Sequence, residues 1–67
     1  MKKIKILLVG YGPRGRIWSK VIKKNTKVIL IGICDINKDT KKISPKNISF
    51  FTRIEKAVLD LRPDAII

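Results

Sequence analysis

The feature that most constrains the fold of this 67-residue chain is a glycine-rich segment, VGYGPRGRIW, at residues 9–18. Gly10, Gly12 and Gly15 have the spacing G-x-G-x-x-G, with an apolar run before them and a helical pattern after them. Glycine is favoured where a chain turns sharply or where two backbones come close together. The segment therefore predicts a strand that turns tightly into a helix.

Two continuous apolar runs predict strands that are buried on both faces of a parallel sheet. The first run is Ile4–Val9, and the second is Val28–Cys34, which is rich in β-branched residues and is closed by Asp35. Strands of parallel sheets have this continuous pattern because helices cover both of their faces. Together with the helix between them, the two runs predict a strand–helix–strand unit.

The helix between these strands is predicted over Pro13–Lys24. Proline suits its first position, where the missing N–H has no helical partner. Asn25 follows it, and asparagine tolerates the left-handed conformation that ends many helices. One face of the helix is apolar, and we expect it, including Trp18, to pack against the sheet. Its members are Ile17, Trp18, Val21 and Ile22.

A polar, basic segment separates the second strand from a short third strand at residues 48–51. Pro45 limits any helix in this segment to a turn or two before Ser44. The connection is about the shortest that can join two parallel strands. We therefore expect little secondary structure between Asp35 and the third strand.

A second helix and a fourth strand complete the pattern. Thr52 and Glu55 have the spacing of a capping box, so we expect this helix to start at Thr52 and to end before Pro63. Residues 65–67 begin the fourth strand. The order βαβ(α)βαβ predicts an α/β fold, namely the first four strands of a Rossmann-like, doubly wound parallel sheet.

The chain is strongly basic, with 16 Lys and Arg against five Asp and Glu and a net charge of +11. Such a charge attracts nucleic acid or anionic lipid without sequence specificity. However, the lysines are scattered along the chain, and it contains no recognisable nucleic-acid-binding module. We therefore expect solvated surface lysines, no specific nucleic-acid partner and no membrane partner.

Cysteine and histidine usage narrows the chemistry further. The single cysteine, Cys34, excludes an internal disulfide, and we expect it to be a small buried hydrophobic residue. The chain has no histidine, which excludes a metal site of the histidine-containing type, and we expect neither a metal site nor a catalytic residue in it. The first apolar run is too short for a signal peptide, and no run reaches transmembrane length, so we expect a cytoplasmic protein.

The three glycines also match the needs of a dinucleotide site. Gly10 suits the sharp turn, Gly12 allows the pyrophosphate to approach the backbone, and Gly15 allows the helix to pack closely. The helix N-terminus offers free N–H groups and partial positive charge to the phosphates. Asp35 ends the second strand, where an acidic residue accepts hydrogen bonds from ribose hydroxyls. The alternative is a tight strand–helix turn in which Asp35 caps the next loop.

Asp35 also bears on the choice of cofactor. A like charge roughly 4 Å from the 2′-phosphate of NADP costs about 1–4 kcal/mol per unit charge. Lys38, or less favourably Lys41 or Lys42, could offset this repulsion. We therefore expect NAD, with NADP as the alternative.

Two residues of the glycine loop have roles that the sequence leaves open. Arg14 either contacts a phosphate or is a solvated surface arginine. Tyr11 either lies along the cofactor or packs over the loop.

Three segments resemble the N-terminal domain of the glucose–fructose oxidoreductase and inositol dehydrogenase family (Gfo/Idh/MocA): KILLVGYGPRGRIW, VILIGICDINKD and FFTRIEKAVLDLRPDAII. The resemblance implies an NAD(P)-dependent dehydrogenase or reductase of sugars or polyols. It also implies that Asp35 and Ile36 bind the adenosine half of the cofactor. The residues that would line the pyrophosphate are Gly10, Tyr11, Gly12, Pro13, Arg14 and Gly15.

The chain departs from this family in three respects. Trp18 stands where the family often has histidine, and residues 37–47 are shorter than the family's helix there. The family's catalytic lysine lies in a Glu-Lys-Pro motif beyond the fourth strand, and its other catalytic residues lie in a second domain. The chain has neither.

We therefore interpret residues 1–67 as the N-terminal part of a dinucleotide-binding domain, either of a longer protein or of a truncated gene product. Its expected function is to bind NAD for an oxidoreductase that acts on a sugar or polyol by hydride transfer. Without the remainder of the parent enzyme, we expect no activity. The alternatives are a non-catalytic nucleotide-binding or regulatory module and, less favoured, a small basic nucleic-acid-binding protein.

Overall fold

The computed structural model describes residues 2–67, which form an α/β structure with a four-stranded, all-parallel sheet in the order β3-β2-β1-β4. Two α-helices and a short 3₁₀ helix at Lys38–Lys42 connect the strands. The elements are β1 (Ile4–Val9), α1 (Pro13–Lys24), β2 (Val28–Cys34), β3 (Ser49–Phe51), α2 (Ile54–Leu61) and β4 (Ala65–Ile66). The predicted α/β class, parallel sheet and order of elements are confirmed.

The carboxyl ends of the strands lie at one edge of the sheet. Val9 pairs with Cys34, and Cys34 pairs with Phe51. Beyond the paired strands, the Asp35 N–H donates to the Phe51 carbonyl at 2.9 Å, and the Val9 N–H donates to the Ile67 carbonyl at 2.8 Å. The loops that follow the strands are therefore gathered at this edge, where ligands of parallel sheets bind.

Neighbouring residues of β1 pack on opposite faces of the sheet, as strand geometry requires. Leu7 is fully buried and forms a cluster with Cys34 and with Ala57 of α2. Leu8 is buried in a second cluster with Tyr11 and β2. Both faces of β1 are therefore covered, and the prediction that Cys34 is buried is confirmed.

The predicted orientation of α1 is wrong. The helix buries Gly15, Ser19 and Ile22, and of its predicted apolar face only Ile22 contacts the core. A Cβ at Gly15 would overlap the Gly10 carbonyl, so the close contact of these two residues fixes the rotation of the helix. Residues four and seven positions beyond Gly15 share its face and are buried with it. The exposed apolar residues are Ile17 (62%), Trp18 (47%) and Val21 (52%).

Two predicted helix ends are also wrong. α2 begins at Ile54, with Arg53 at its N-cap and no side-chain capping bond, so Thr52 and Glu55 do not form a capping box. Thr52 instead lies in a bend directly after β3, and Arg53 is the N-cap residue with an extended backbone. Asn25 is extended rather than left-handed, because its side chain accepts a hydrogen bond from the backbone N–H two residues on, at 2.9 Å.

Candidate functional site

The glycine loop joins β1 to α1 at the carboxyl edge of the sheet. Gly10 has φ +87°, in a region that residues with a side chain rarely adopt. Its N–H donates to the Cys34 carbonyl at 2.7 Å, which holds the start of the loop against the end of β2. Gly15 leaves room for the Gly10 carbonyl. Glycine at these two positions therefore sets both the turn and the approach of the helix.

Gly12 is the N-cap of α1 and has open space beside it, because a Cβ there would have no atom within 4 Å. Its carbonyl accepts a hydrogen bond from the Arg16 N–H at 3.0 Å, which closes the first turn. In the described part of the chain, no side chain caps this helix, and its first turn holds no acidic residue. Helix N–H groups without a side-chain partner are suited to an anionic ligand.

Asp35 connects the glycine loop to the loop after β2. Its Oδ2 accepts a hydrogen bond from the Tyr11 N–H at 2.8 Å, and its Oδ1 accepts one from the Asn37 N–H at 2.9 Å. A carboxylate oxygen has two acceptor sites, so each oxygen retains one for a further donor such as a ribose hydroxyl. The capping role considered for Asp35 is thus observed, and it leaves room for the ligand-binding role.

Two clefts flank the glycine loop at this edge, and they share Val9 and Gly10. The α1 cleft has a volume of ≈ 470 Å³ and is lined by Leu8, Val9, Gly10, Gly12, Pro13, Arg14, Gly15, Trp18 and Ile67. The β2–β3 cleft has a volume of ≈ 430 Å³ and is lined by Val9, Gly10, Cys34, Asp35, Ile36, Thr52, Arg53, Ile54 and Glu55.

The structure divides the predicted site residues between the two clefts. The α1 cleft receives Pro13 and Arg14 together with the three glycines of the motif, and the β2–β3 cleft receives Asp35 and Ile36. Tyr11 lines neither cleft, because its side chain is 6% exposed and packs in the cluster that contains Leu8. Only the backbone N–H of Tyr11 reaches the site, through Asp35.

The sequence interpretation missed three polar residues of the β2–β3 cleft, namely Thr52, Arg53 and Glu55. They follow β3, and the pairing of β3 with β2 brings them beside Asp35. The available signal was their position directly after a predicted strand, since such residues gather at the carboxyl edge of a parallel sheet.

Cys34 lines the β2–β3 cleft, but its side chain is buried. Burial, followed by the negative charges of Asp35 and Glu55, raises the pKa of its thiol above the ordinary value. A protonated thiol is a poor nucleophile. Cys34 is therefore a buried, protonated residue in the wall of the cleft, which is consistent with its expected role as a small buried hydrophobic residue.

Comparisons with protein-family models, with curated proteins and with solved structures found no match. Within residues 2–67, neither α-helix combines the length and the apolar character needed to cross a membrane. The same residues contain no group of three or more His, Cys, Asp or Glu side chains that could hold a metal ion. Function is therefore inferred from the glycine loop and its two clefts.

Proposed function

We propose that this chain is the dinucleotide-binding portion of a nicotinamide-dependent oxidoreductase, and that it forms the first four strands of a Rossmann-like domain. The glycine loop carries this proposal. The positive φ of Gly10, the open space at Gly12 and the close contact at Gly15 are the three features that a pyrophosphate-binding turn uses. The strand order β3-β2-β1-β4 supports the proposal, because Rossmann domains have this order in their first four strands.

The two clefts suit the two halves of a dinucleotide, since they meet at the loop that would bind the pyrophosphate. We assign the adenosine half to the β2–β3 cleft, because the free acceptor sites of Asp35 suit the ribose hydroxyls. Ile36 lines the same cleft and is 93% exposed, so it offers an apolar surface to the base. The nicotinamide half then faces the α1 cleft, where Trp18 and Ile67 offer apolar contacts.

When bound, NAD would supply the hydride chemistry, exchanging hydride with a carbon of a sugar or polyol substrate that bears a hydroxyl group. The residues of this chain bind and orient the cofactor. The first turn of α1 donates N–H groups to the phosphates, and Asp35 holds both the ribose and the loop. The substrate class follows from the resemblance to the glucose–fructose oxidoreductase and inositol dehydrogenase family. We expect the catalytic residues in the remainder of a parent enzyme, so these 67 residues alone would be inactive.

Titration of the chain with NADH tests the proposal through Trp18, which is the only tryptophan and lines the α1 cleft. Bound NADH should quench the tryptophan emission by energy transfer. Gly12→Val should fold, since the space beside Gly12 is open, but its affinity for NADH should fall at least about tenfold, because the new side chain occupies the phosphate position. Lys20→Val, at an exposed position of α1 that lines neither cleft, is the control.

The proposal is contradicted if the folded chain does not bind NADH or if Gly12→Val leaves the affinity unchanged. DNA binding with a steep salt dependence, in a chain that does not respond to NADH, would instead favour the nucleic-acid-binding alternative.

A further inference from the structure

Arg53 is a cation that the pairing of β3 with β2 places in the β2–β3 cleft. It lines this cleft together with Asp35 and Ile36. Among residues 2–67 the only ion pair joins Lys56 and Asp60, so no carboxylate engages the Arg53 guanidinium. Arg53 also stands at the N-cap of α2 without making a side-chain capping bond. Neither ion pairing nor helix capping therefore accounts for an arginine at this position.

The cleft combines this cation with two carboxylates, those of Asp35 and Glu55. The Asp35 carboxylate accepts two backbone N–H bonds, at 2.8 and 2.9 Å, which hold it at the end of β2. An anionic group brought next to Asp35 is repelled by it, whereas a cation lining the same cleft offsets that repulsion. A guanidinium is well suited to this task, because its planar fork of N–H donors matches the oxygens of a phosphate.

The lysines that the sequence suggested for offsetting the repulsion between Asp35 and a phosphate do not line the β2–β3 cleft. Lys38 lines neither cleft, and Lys41 and Lys42 line a separate depression near Pro45. Arg53 is therefore the one Lys or Arg side chain among the residues that line the β2–β3 cleft.

We propose that Arg53 recognises a phosphate group at the 2′ position of the adenosine ribose, so that the β2–β3 cleft accepts NADPH as well as NADH. This inference rests on the proposed function, because it uses the same cleft as the adenosine site. It changes the expectation, drawn from Asp35 alone, that the cleft binds NAD in preference to NADP. Asp35 disfavours a 2′-phosphate, and Arg53 restores affinity for it.

Dissociation constants of NADH and NADPH test this inference when they are measured on the full 67-residue chain through Trp18 fluorescence. The variants are Arg53→Gln and, as the matched control, Arg62→Gln, since Arg62 is an exposed arginine that lines neither cleft. Arg53 is exposed, so its replacement should not affect folding, which circular dichroism checks.

The wild-type chain should bind NADPH with an affinity within about tenfold of that for NADH, because Arg53 offsets a penalty of this order. In Arg53→Gln, loss of one charge-assisted contact should weaken NADPH binding by about tenfold or more and NADH binding by less than about twofold. Arg53→Lys should recover part of the NADPH affinity, because it keeps the charge without the planar fork. The 2′,5′-diphosphate of adenosine, measured by calorimetry, should show the same ranking of variants as NADPH.

Three outcomes overturn the inference and leave the dinucleotide-binding function standing. In the first, the wild-type chain binds NADH but not NADPH. In the second, the Arg53→Gln chain keeps its affinity for NADPH. In the third, Arg53→Gln loses affinity for NADH and NADPH equally, which would indicate that Arg53 stacks on the adenine base instead. A folded wild-type chain that binds neither cofactor overturns the proposed function itself, and this inference with it.

Discussion

The α1 cleft and the β2–β3 cleft are similar in volume and adjoin the same glycine loop, yet their linings differ in chemistry. Arg14 is the only charged residue that lines the α1 cleft, which is otherwise formed by apolar side chains, glycine and proline. The β2–β3 cleft contains Asp35, Arg53 and Glu55. If the two clefts bind a dinucleotide as proposed, this difference predicts that selectivity between ligands resides in the β2–β3 cleft, whereas the α1 cleft provides apolar contact area.

The largest effect on binding is expected when the Asp35 carboxylate is removed from the β2–β3 cleft. Asp35→Ala deletes the proposed acceptor for ribose hydroxyls and also frees the Tyr11 N–H of the glycine loop. Because a hydrogen bond to a charged group contributes about 1.5–3 kcal/mol, NADH affinity should fall by roughly tenfold to a hundredfold. Fluorescence titration measures the change. Asp39→Ala, which alters an exposed acidic residue outside both clefts, should bind NADH normally, and an equal loss in both variants would contradict the assignment.

The loop that separates the two clefts should depend on Gly15 for its stability. Gly15→Ala places a methyl group where the Gly10 carbonyl lies, so the variant should lose about 1–3 kcal/mol of unfolding free energy despite the better helix propensity of alanine. Gly12→Ala adds the same methyl group in open space and should lose less than about 1 kcal/mol. Urea unfolding measures both variants. A Gly15→Ala chain as stable as the wild type would show that the close contact does not fix the helix.

Changes in the α1 cleft should have smaller effects on binding than changes in the β2–β3 cleft. Trp18→Ala removes part of an apolar wall that is already half exposed, so NADH affinity should fall only by about threefold to fivefold. Calorimetry measures this variant, since the fluorescent reporter is lost. Ile17→Ala, at the exposed neighbouring position outside the cleft, should bind NADH like the wild type. If Trp18→Ala lowered the NADH affinity as much as Asp35→Ala does, the α1 cleft would not be the less important of the two.

The smallest expected effect comes from Cys34, in the wall of the β2–β3 cleft. Its pKa is raised in the folded chain, so the unfolded thiol loses its proton at lower pH than the folded one. The unfolded state then binds fewer protons, and stability should decline as pH rises above about 8.5, the ordinary pKa of a thiol. Urea unfolding at several pH values should show this decline for the wild type relative to Cys34→Ala. A stability difference that is constant with pH would contradict the buried, protonated thiol.

The elements that depend on local sequence pattern could be predicted from the sequence. The apolar runs of β1 and β2 and the pattern of α1 gave the same bounds as the structure, because each run is bounded by strong local signals such as Pro13 and Asp35. The glycine motif likewise led to Gly10, Gly12 and Gly15. Gly10 acts through its positive φ, and Gly12 and Gly15 act through the absence of a side chain, so a local motif can encode all three.

Features that depend on three-dimensional packing could not be predicted in the same way. Periodicity places apolar residues of α1 on one face, but the contact of Gly15 with Gly10 decides which face meets the sheet. Similarly, Arg53 enters the site only because β3 pairs with β2. Tyr11 lies within the motif, yet its side chain is in the core. Local patterns thus identified the glycine loop, whereas tertiary packing determined which side chains of α1, of the loop and of the segment after β3 surround it.

The most direct test of the account is an amide chemical-shift titration of the isotope-labelled chain with NADH. If one dinucleotide spans both clefts, the amides of Gly12 and Arg14 and those of Ile36 and Arg53 should shift together, with a single dissociation constant. The amide of Leu59, on the outer surface of α2, should not move. Shifts confined to one cleft, or spread over the surface lysines, would contradict the account.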